Sequence, residues 1–592
     1  MRSESEAQRL ARGSARLRRA AAGTRGSADG TDTRNDAGTA GGTGAPRDGA
    51  DDAGTAGGTH AGHDGLETAR DAGKPVSDAE PGGLRLRWAL LTVLVGGLAL
   101  AAAFPPYGIW PLAAVGPALL VVALRQQSLR GSFAVGAVFG LAFFVPLLSW
   151  VLNLAWYAWV ALAVSDTLIF AVLAIGQRLL LRLRAWPVAV AGWWVAEEAL
   201  RDRWPWGGFP WGRLAMSQAE APTVRWVSVG GPPLLTFLIA LAGACLAWVI
   251  IERRVLHAAC FACVAGLALA GAALPVAASG AASATVAAVQ GDVPHARNLP
   301  GLLNDSQITL NHAVATAKLA ARVKAGDLAA PDIVIWPENS TDLDPFEYPV
   351  IYQEITAAVR AVGKPVLVGE ILENPLRNVG QLWLPGRGPT TKYTKRQLVP
   401  FGEVIPLRGL LSHITSLTAL QPVNFTPGHQ AVVFRTGKIR LGDVICYEVG
   451  FDGLVRSEVT AGANLLSVQT NDATFEVDGQ TGESLQQLAM AQIRAVEFDR
   501  SVVVASTTGV SAIIAPDGSL IARSGIWRQA VLEARVPLLT GQTLAERVGG
   551  WPEYVITALT ILALIGAAAG AVAERRSGHS GPRRPRAADA AG

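Results

Sequence analysis

The sequence predicts a multi-pass α-helical membrane bundle joined to one α/β domain, and three observations carry that expectation. Hydrophobic residues make up 50% of the 592 and charged residues only 17%, against about 25% charged in an average soluble chain. Apolar runs long enough to cross a bilayer, roughly 17–25 residues, recur through the first half and once near the end. Between them, from about 284 to 545, short Val- and Ile-rich runs alternate with amphipathic stretches, the pattern of layered strands and helices. A net charge of +4 is too small and too dispersed to point to nucleic acid.

Residues 1 to about 83 are mostly Gly, Ala, Asp, Thr and Arg, with almost no large apolar side chains. Such a segment cannot bury enough surface to offset its ordering entropy, so it reads as a disordered tail. No apolar run follows its early basic residues closely, so it is not a signal peptide. His60 and His63 read as solvated tail residues rather than metal ligands.

The candidate spans are about 88–104, 108–124, 132–152, 157–177, 186–201, 229–251, 256–279 and 551–573. The first two are separated by "FPPYG" and could instead form one re-entrant hairpin. Arginines test the count, because cytoplasmic junctions carry them. Arg85 and Arg87 precede the first span, and Arg125 and Arg130 follow the second. Arg178, Arg182 and Arg184 follow the fourth, Arg253 and Arg254 the sixth, and Arg575 and Arg576 the eighth. The expected organisation is a cytoplasmic tail (1–83), a bundle of about seven spans (84–280), an extracytoplasmic domain (284–545), a final span (551–573) and a basic cytoplasmic tail (574–592). One outside loop, "EEALRDRWPWGGFPWGR", breaks the charge pattern with Arg201, Arg203 and Arg213 and is followed by Arg225. It reads either as a functional loop at the lipid boundary or as an aromatic belt with snorkelling arginines.

In the outer domain, "SATVAAVQGD", "PDIVIWPENS", "PVLVGEIL", "KIRLGDVIC" and "NLLSVQTND" read as strands. Helices are expected over 306–324, near 348–362, in "FDGLVRSEVTAGA" and in "GESLQQLAMAQIRAVEFDR". "SVVVASTTGVSAIIAPDGSLIAR" reads as two strands with a hairpin at Asp517-Gly518. In α/β folds reactive groups gather at the carboxyl ends of strands. Two such ends carry chemistry here: Glu338 after "IVIW" and Cys446 after "LGDVI". A third element, "YTKRQLVPFGE", puts Lys395 and Glu403 on a loop anchored by Pro400 and Gly402.

Cys446 needs the most care, since a free cysteine is usually a small buried hydrophobe. The chain has four cysteines, and Cys245, Cys260 and Cys263 lie in apolar runs. No second Cys in the same region offers a disulfide, and no His or Cys cluster offers a zinc site. A catalytic thiol needs a base and an orienting charge, which Glu338 and Lys395 can supply. Taken alone, Glu338 reads equally as a cap for the turn at Asn339 and Ser340, and Lys395 as a solvated loop residue.

The ordered set "IVIWPEN", "YTKRQLVPFGE" and "VICYE" resembles the nitrilase, or carbon–nitrogen hydrolase, superfamily with its Glu–Lys–Cys triad. With the spans, "VQGD" at 289–292, "GGFPWG" at 207–212 and "LVPFGE", residues 85 to 575 resemble that superfamily's membrane-embedded apolipoprotein N-acyltransferase family. The resemblance implies an αββα sandwich on the extracytoplasmic face of a bacterial plasma membrane. It implies Glu338, Lys395 and Cys446 as catalytic residues, Glu403 as a second acid holding Lys395, and Tyr447 and Glu448 as supports beside the nucleophile. The implied reaction passes an acyl chain from a phospholipid through a Cys446 thioester to the amine of a diacylated apolipoprotein, with no metal or organic cofactor. The chain departs from the family where Gln397 stands in place of a His, where "HARNLPG" lacks an aromatic near a Lys, and where "NDATFEVDGQTGESLQQ" is longer and lacks a Trp. Those departures touch substrate contacts and leave the triad positions matched. Two rivals remain: a membrane-tethered amidase or nitrilase acting on a small amide, and a non-catalytic scaffold on a decayed fold.

Overall fold

The computed structural model describes residues 84–275, 282–293, 301–414, 418, 421–476 and 481–578. The expected tail 1–83 with His60 and His63, the end of the chain from 579, and parts of the departing loops (294–300 and 477–480) lie outside the described residues.

The first half is helical: α1 Leu86–Ala102, α2 Leu112–Leu124, α3 Leu129–Leu147, α4 Trp156–Leu180, α5 Trp186–Arg201, α6 Val227–Glu252 and α7 Val255–Leu269. The second half carries α8 Gly301–Ala325, α9 Pro349–Val362, α10 Arg408–Ile414, α11 Asp452–Thr460, α12 Gly482–Phe498, α13 Leu544–Val548 and α14 Trp551–Gly578. Among the described residues every expected span contains a helix, and α3, α4, α6, α7 with the helical turn that follows it to Ala273, and α14 are long and apolar enough to cross a membrane. The second expected span shortens to the 13 residues of α2, about 20 Å of helix against a hydrocarbon core of about 30 Å. Its first turn, 108–111, is lost because Gly108 sits in the left-handed region at φ 65 and Pro111, which has no amide hydrogen, stands at the helix N-cap. Helices α1 and α2 pack on each other as a short apolar hairpin, with Gly96 and Gly116 at the close approach.

The outer domain has twelve strands: β1 Ser283–Gln290, β2 Ile333–Ile335, β3 Val366–Glu373, β4 Leu376–Leu384, β5 Gly388–Thr394, β6 Val433–Thr436, β7 Ile439–Ile445, β8 Leu465–Thr470, β9 Val502–Ser506, β10 Ala512–Ile514, β11 Leu520–Arg523 and β12 Ala530–Pro537. Among the described residues they form two six-stranded sheets, ordered β12-β1-β2-β3-β4-β5 and β11-β10-β9-β8-β7-β6. The stretch 501–523 holds three strands rather than the expected two, because "TTG" breaks the first apolar run before Ala512. The hairpin at Asp517-Gly518 is present, with Gly518 at φ 86.

The central strands β1–β3 and β7–β9 run parallel within each sheet, so their carboxyl ends open on common edges. Ile335, Leu367, Ile445, Leu465 and Val503 fill the space between the sheets. Each such residue stabilises by roughly 1.5–3 kcal/mol on burial. Helices α8 and α9 cover the outer face of the first sheet. Helix α9 starts with Pro349, ends at Gly363 with φ 62, and buries Ile351, Ile355, Ala358 and Val359 on one face.

The outer face of the second sheet is covered by α12. This helix is buried along nearly its whole length, because the membrane bundle closes its other side. One apolar cluster runs without a break from Phe143, Trp150 and Ile239 of the bundle through Ala491 and Ile493 to Val504 of β9. Polar links cross the same junction. Arg213 of the loop after α5 grips Asp452 at 2.7 and 3.0 Å, and Arg494 of α12 reaches the same carboxylate at 2.7 Å. Arg201 is 2% exposed and donates to the carbonyls of Phe209 and Trp211. These two arginines are therefore buried structural groups and not snorkelling ones. Trp204 and Trp206 of the same loop are exposed, as an interfacial belt requires.

Candidate active site

Cys446 directly follows β7, in a left-handed backbone conformation with φ 54. A non-glycine residue held there costs of order 1–3 kcal/mol and persists only when its surroundings over-determine it. Glu448 supplies much of that constraint. Its Oε2 accepts from the amide of Ile445 and the phenol of Tyr393, each at 2.8 Å. Its Oε1 accepts from the amides of Arg396 and Gln397 at 2.6 and 3.0 Å. One buried carboxyl thus ties the strand before Cys446 to the segment directly after Lys395.

Glu338 follows β2, and its backbone is set by a close approach. A Cβ on Gly369 of β3 would lie 2.1 Å from the Pro337 carbonyl oxygen and 2.8 Å from Glu338 Cα, so only glycine fits. Glu338 Oε1 accepts from Lys395 Nζ at 2.9 Å and from Asn378 Nδ2 at 2.7 Å. Its Oε2 accepts from the amide of Asn471 at 3.0 Å. Lys395, just past β5, is 1% exposed and also reaches Glu403 Oε1 at 2.9 Å. Asn378 of β4 bridges the two acids by donating to Glu403 at 3.0 Å. Glu403 is fixed in turn by the amide of Val399 at 2.9 Å.

Cys446 itself is partly accessible. Its sulfur lies 3.6 Å from Gln487 Nε2 of α12. Burial and the negative charge of Glu338 push its thiol well above the ordinary range, outweighing Lys395. Burial also raises Glu338, and the neighbouring Glu403 adds to the rise. Burial disfavours the Lys395 ammonium, but the two carboxylates outweigh it and hold the amine charged. At rest the cluster is a neutral thiol beside a lysine shared by two acids.

Tyr447 points the other way, into the loop after α5. Its hydroxyl donates to the carbonyl of Gly208, and its ring stacks on Trp211 with centroids 5.5 Å apart and planes 15° apart. Gly208 sits at φ 84 where any Cβ would strike the Asp202 carbonyl at about 2 Å. The amide of Gln397, the residue that departs from the family's His, lies against Gly207 in the same loop.

All six sequence-expected residues thus gather at one edge of the sandwich. Asn378 and Gln487 were not anticipated, since a strand interior and an amphipathic helix gave no mark of them.

Residues 96–245 match the family model described as the apolipoprotein N-acyltransferase N-terminal domain, and residues 285–546 match the carbon–nitrogen hydrolase model. An apolipoprotein N-acyltransferase of Mycolicibacterium smegmatis is 36% identical over 510 residues, covering 80% of this chain and 84% of the relative. One from Vibrio vulnificus is 27% identical over 516 residues, covering 81% and 96%. A solved amidase from Nesterenkonia sp. is 15% identical with a TM-score of 0.33, covering 45% of this chain and 95% of its own.

Proposed function

The chain belongs to the apolipoprotein N-acyltransferase family, and from that premise we propose that it moves an acyl chain from a membrane phospholipid to the α-amine of a lipoprotein's N-terminal, diacylglyceryl-modified cysteine. Cys446 is the nucleophile, Glu338 the general base and acid, and Lys395 the fixed positive charge. The sulfur attacks the ester carbonyl while Glu338 takes the thiol proton. Lys395 offers charge to the oxyanion as it forms. Glu338 returns the proton to the departing alkoxide, a lysophospholipid leaves, and a thioester remains. The acceptor amine then attacks the thioester carbon, its proton passes to Glu338, and the C–S bond breaks. The released sulfur takes that proton back, and an amide is formed.

Because the resting thiol is neutral, deprotonation belongs to the attack and does not precede it. Glu403 and Asn378 hold Lys395 and Glu338 in register, Glu448 holds the nucleophile turn, and Tyr447 fixes that turn against the bundle.

The observation that carries the reading is the direct joint between the residue after Cys446 and a loop of the membrane bundle. A lipid-anchored donor and a lipid-anchored acceptor both need a thiol held at the bilayer. A tethered amidase acting on soluble amides places no such demand. The alternating arginines support a catalytic domain, 284–545, on the extracytoplasmic side of a bacterial plasma membrane, with the 1–83 and 574–592 tails in the cytoplasm.

Mass spectrometry of lipoprotein N-termini tests the reading. Cells with the protein are expected to carry N-acylated diacylglyceryl-cysteine, and cells lacking it or carrying Cys446→Ser are expected to carry the free amine. Full N-acylation by Cys446→Ala would overturn it.

A further inference from the structure

Gln487 lies one helical turn after Glu483 on α12, the helix that faces the thiol from the membrane side. Its Nε2 carries two hydrogens, and the structure gives each a direction. One points to Glu483 Oε1 at 3.1 Å, and the other to Cys446 Sγ at 3.6 Å, an ordinary separation for the larger sulfur acceptor. Both side chains are nearly fully buried, Glu483 at 2% and Gln487 at 2% exposed. An amide can be turned end for end, and the acceptor Glu483 Oε1 decides which end meets the sulfur. With its nitrogen on Glu483, Gln487 presents an N–H to Sγ and no lone pair.

We propose that Gln487 is a further catalytic residue, whose amide N–H stabilises the Cys446 sulfur whenever it carries negative charge, with Glu483 as the positioning residue that fixes the amide's orientation. The proposal rests on Cys446 being the nucleophile, as above. The sulfur is anionic twice in the cycle: as it loses its proton to Glu338 and attacks the ester, and as the C–S bond breaks and the electron pair returns to it. Gln487 transfers no proton in either step. It donates a hydrogen bond from α12 to a sulfur whose negative charge burial and the acids Glu338 and Glu483 otherwise oppose. Lys395 cannot serve alone, because both of its near neighbours are carboxylates. A neutral donor also suits the second half-reaction. It stabilises the leaving thiolate without competing with the acceptor amine for a proton.

The test follows alkylation of the Cys446 peptide in the full-length, detergent-solubilised protein by iodoacetamide across pH, alongside single-turnover thioester formation. Gln487→Ala is expected to move the alkylation midpoint up by about one pH unit and to lower kcat about tenfold, with KM within about twofold, since a hydrogen bond to a charged group is lost. Gln487→Glu keeps the shape, replaces the donor by an acid, and is expected to move the midpoint further; it carries the test if the alanine variant does not accumulate. Glu483→Gln frees the amide to turn and is expected to slow single-turnover thioester formation, while its midpoint moves less than that of Gln487→Ala, because the charge removed with Glu483 itself opposed the thiolate. Unchanged midpoints and rates in both Gln487 variants, with the thioester still forming on Cys446, would overturn the proposal alone. No thioester on Cys446 in the unaltered protein would instead remove the reading beneath it.

Discussion

Lys395 and Glu338 meet at 2.9 Å in a site that hides both from solvent, and the same ammonium meets Glu403 at 2.9 Å. Removing one partner of a buried ion pair typically costs 3–5 kcal/mol, because the charge left behind is uncompensated. Lys395→Met leaves two buried carboxylates facing each other. It is expected to abolish the hydroxylamine-sensitive acyl-enzyme and to lower thermal stability by several kelvin. Adding Glu403→Gln is expected to restore part of the stability and none of the activity. Recovery of activity in the double variant would contradict the role given to Lys395.

The pH dependence of acyl-enzyme formation follows from the direction of the shifts. Glu338 must be ionised to take the thiol proton, and burial raises its titration above the ordinary carboxylate. The rate is therefore expected to fall as pH drops through a value above the usual 4.3 or so, with no alkaline loss from Lys395, whose amine is held charged. Stopped-flow measurement of single turnovers reads this limb. Glu338→Gln is expected to remove the limb together with at least about a hundredfold of the rate, the usual scale of general-base catalysis.

Tyr447→Phe deletes one hydrogen bond to Gly208 and keeps the stack on Trp211. The carbonyl left behind in a buried place costs about 1–3 kcal/mol. Because that bond steadies the turn holding Cys446, kcat is expected to fall about tenfold while KM stays nearly constant. A loss of stability with kcat unchanged would make Tyr447 a packing residue only.

Glu370 of β3 is fully buried, and burial pushes its carboxyl up from 4.5 to about 8. A raised acid contributes stability that is fully present below its unfolded value and is lost as pH climbs through 8. Glu370→Gln keeps the oxygen that accepts from Trp383 Nε1 at 2.5 Å. The variant is expected to match the unaltered protein at pH 4–5 and to melt several kelvin higher at pH 9. Equal melting curves at both ends would contradict the buried neutral carboxyl.

Orientation is tested separately from chemistry. A thiol probe that cannot cross membranes is expected to label single cysteines introduced on the surface of 284–545 in intact cells and to miss those in 1–80. Reversed labelling would overturn the assigned side and with it the lipoprotein acceptor.

Much of this was legible in the residues. Glu338 and Cys446 stand where apolar runs meet Pro337 and a Tyr-Glu pair, so strand ends and chemistry coincide there, whereas Lys395 reads as a loop residue and in the structure directly follows the polar strand β5. The β4–β5 hairpin was not read, although Pro385, Gly386 and Gly388 mark its turn, the glycines at φ 74 and 75. Its strands mix Arg377, Asn378 and Gln381 with apolar residues, because the face toward the sandwich interior carries both Leu382 and Asn378, which reaches the acids of the site, while Trp383 on the other face packs under the outer helices. Strand β12 was missed because its burial is only partial along most of its length. The fate of Arg201 and Arg213 could not be read from sequence. Whether an arginine snorkels or sinks depends on distant partners such as Asp452, 239 residues away from Arg213.

The joint built by Tyr447, Arg213 and the shared apolar cluster fixes the altitude of the sulfur. A domain on a slack tether would sample many heights above the lipid and meet its substrates by bobbing. On the proposed reaction the thiol's elevation is set by helix lengths, so the donor ester has to come to it. The reaction then acquires a ruler: bilayers whose hydrocarbon thickness differs from the bundle's own shift the ester relative to the thiol, and lipid composition becomes a rate-setting variable even among phospholipids with identical reacting groups.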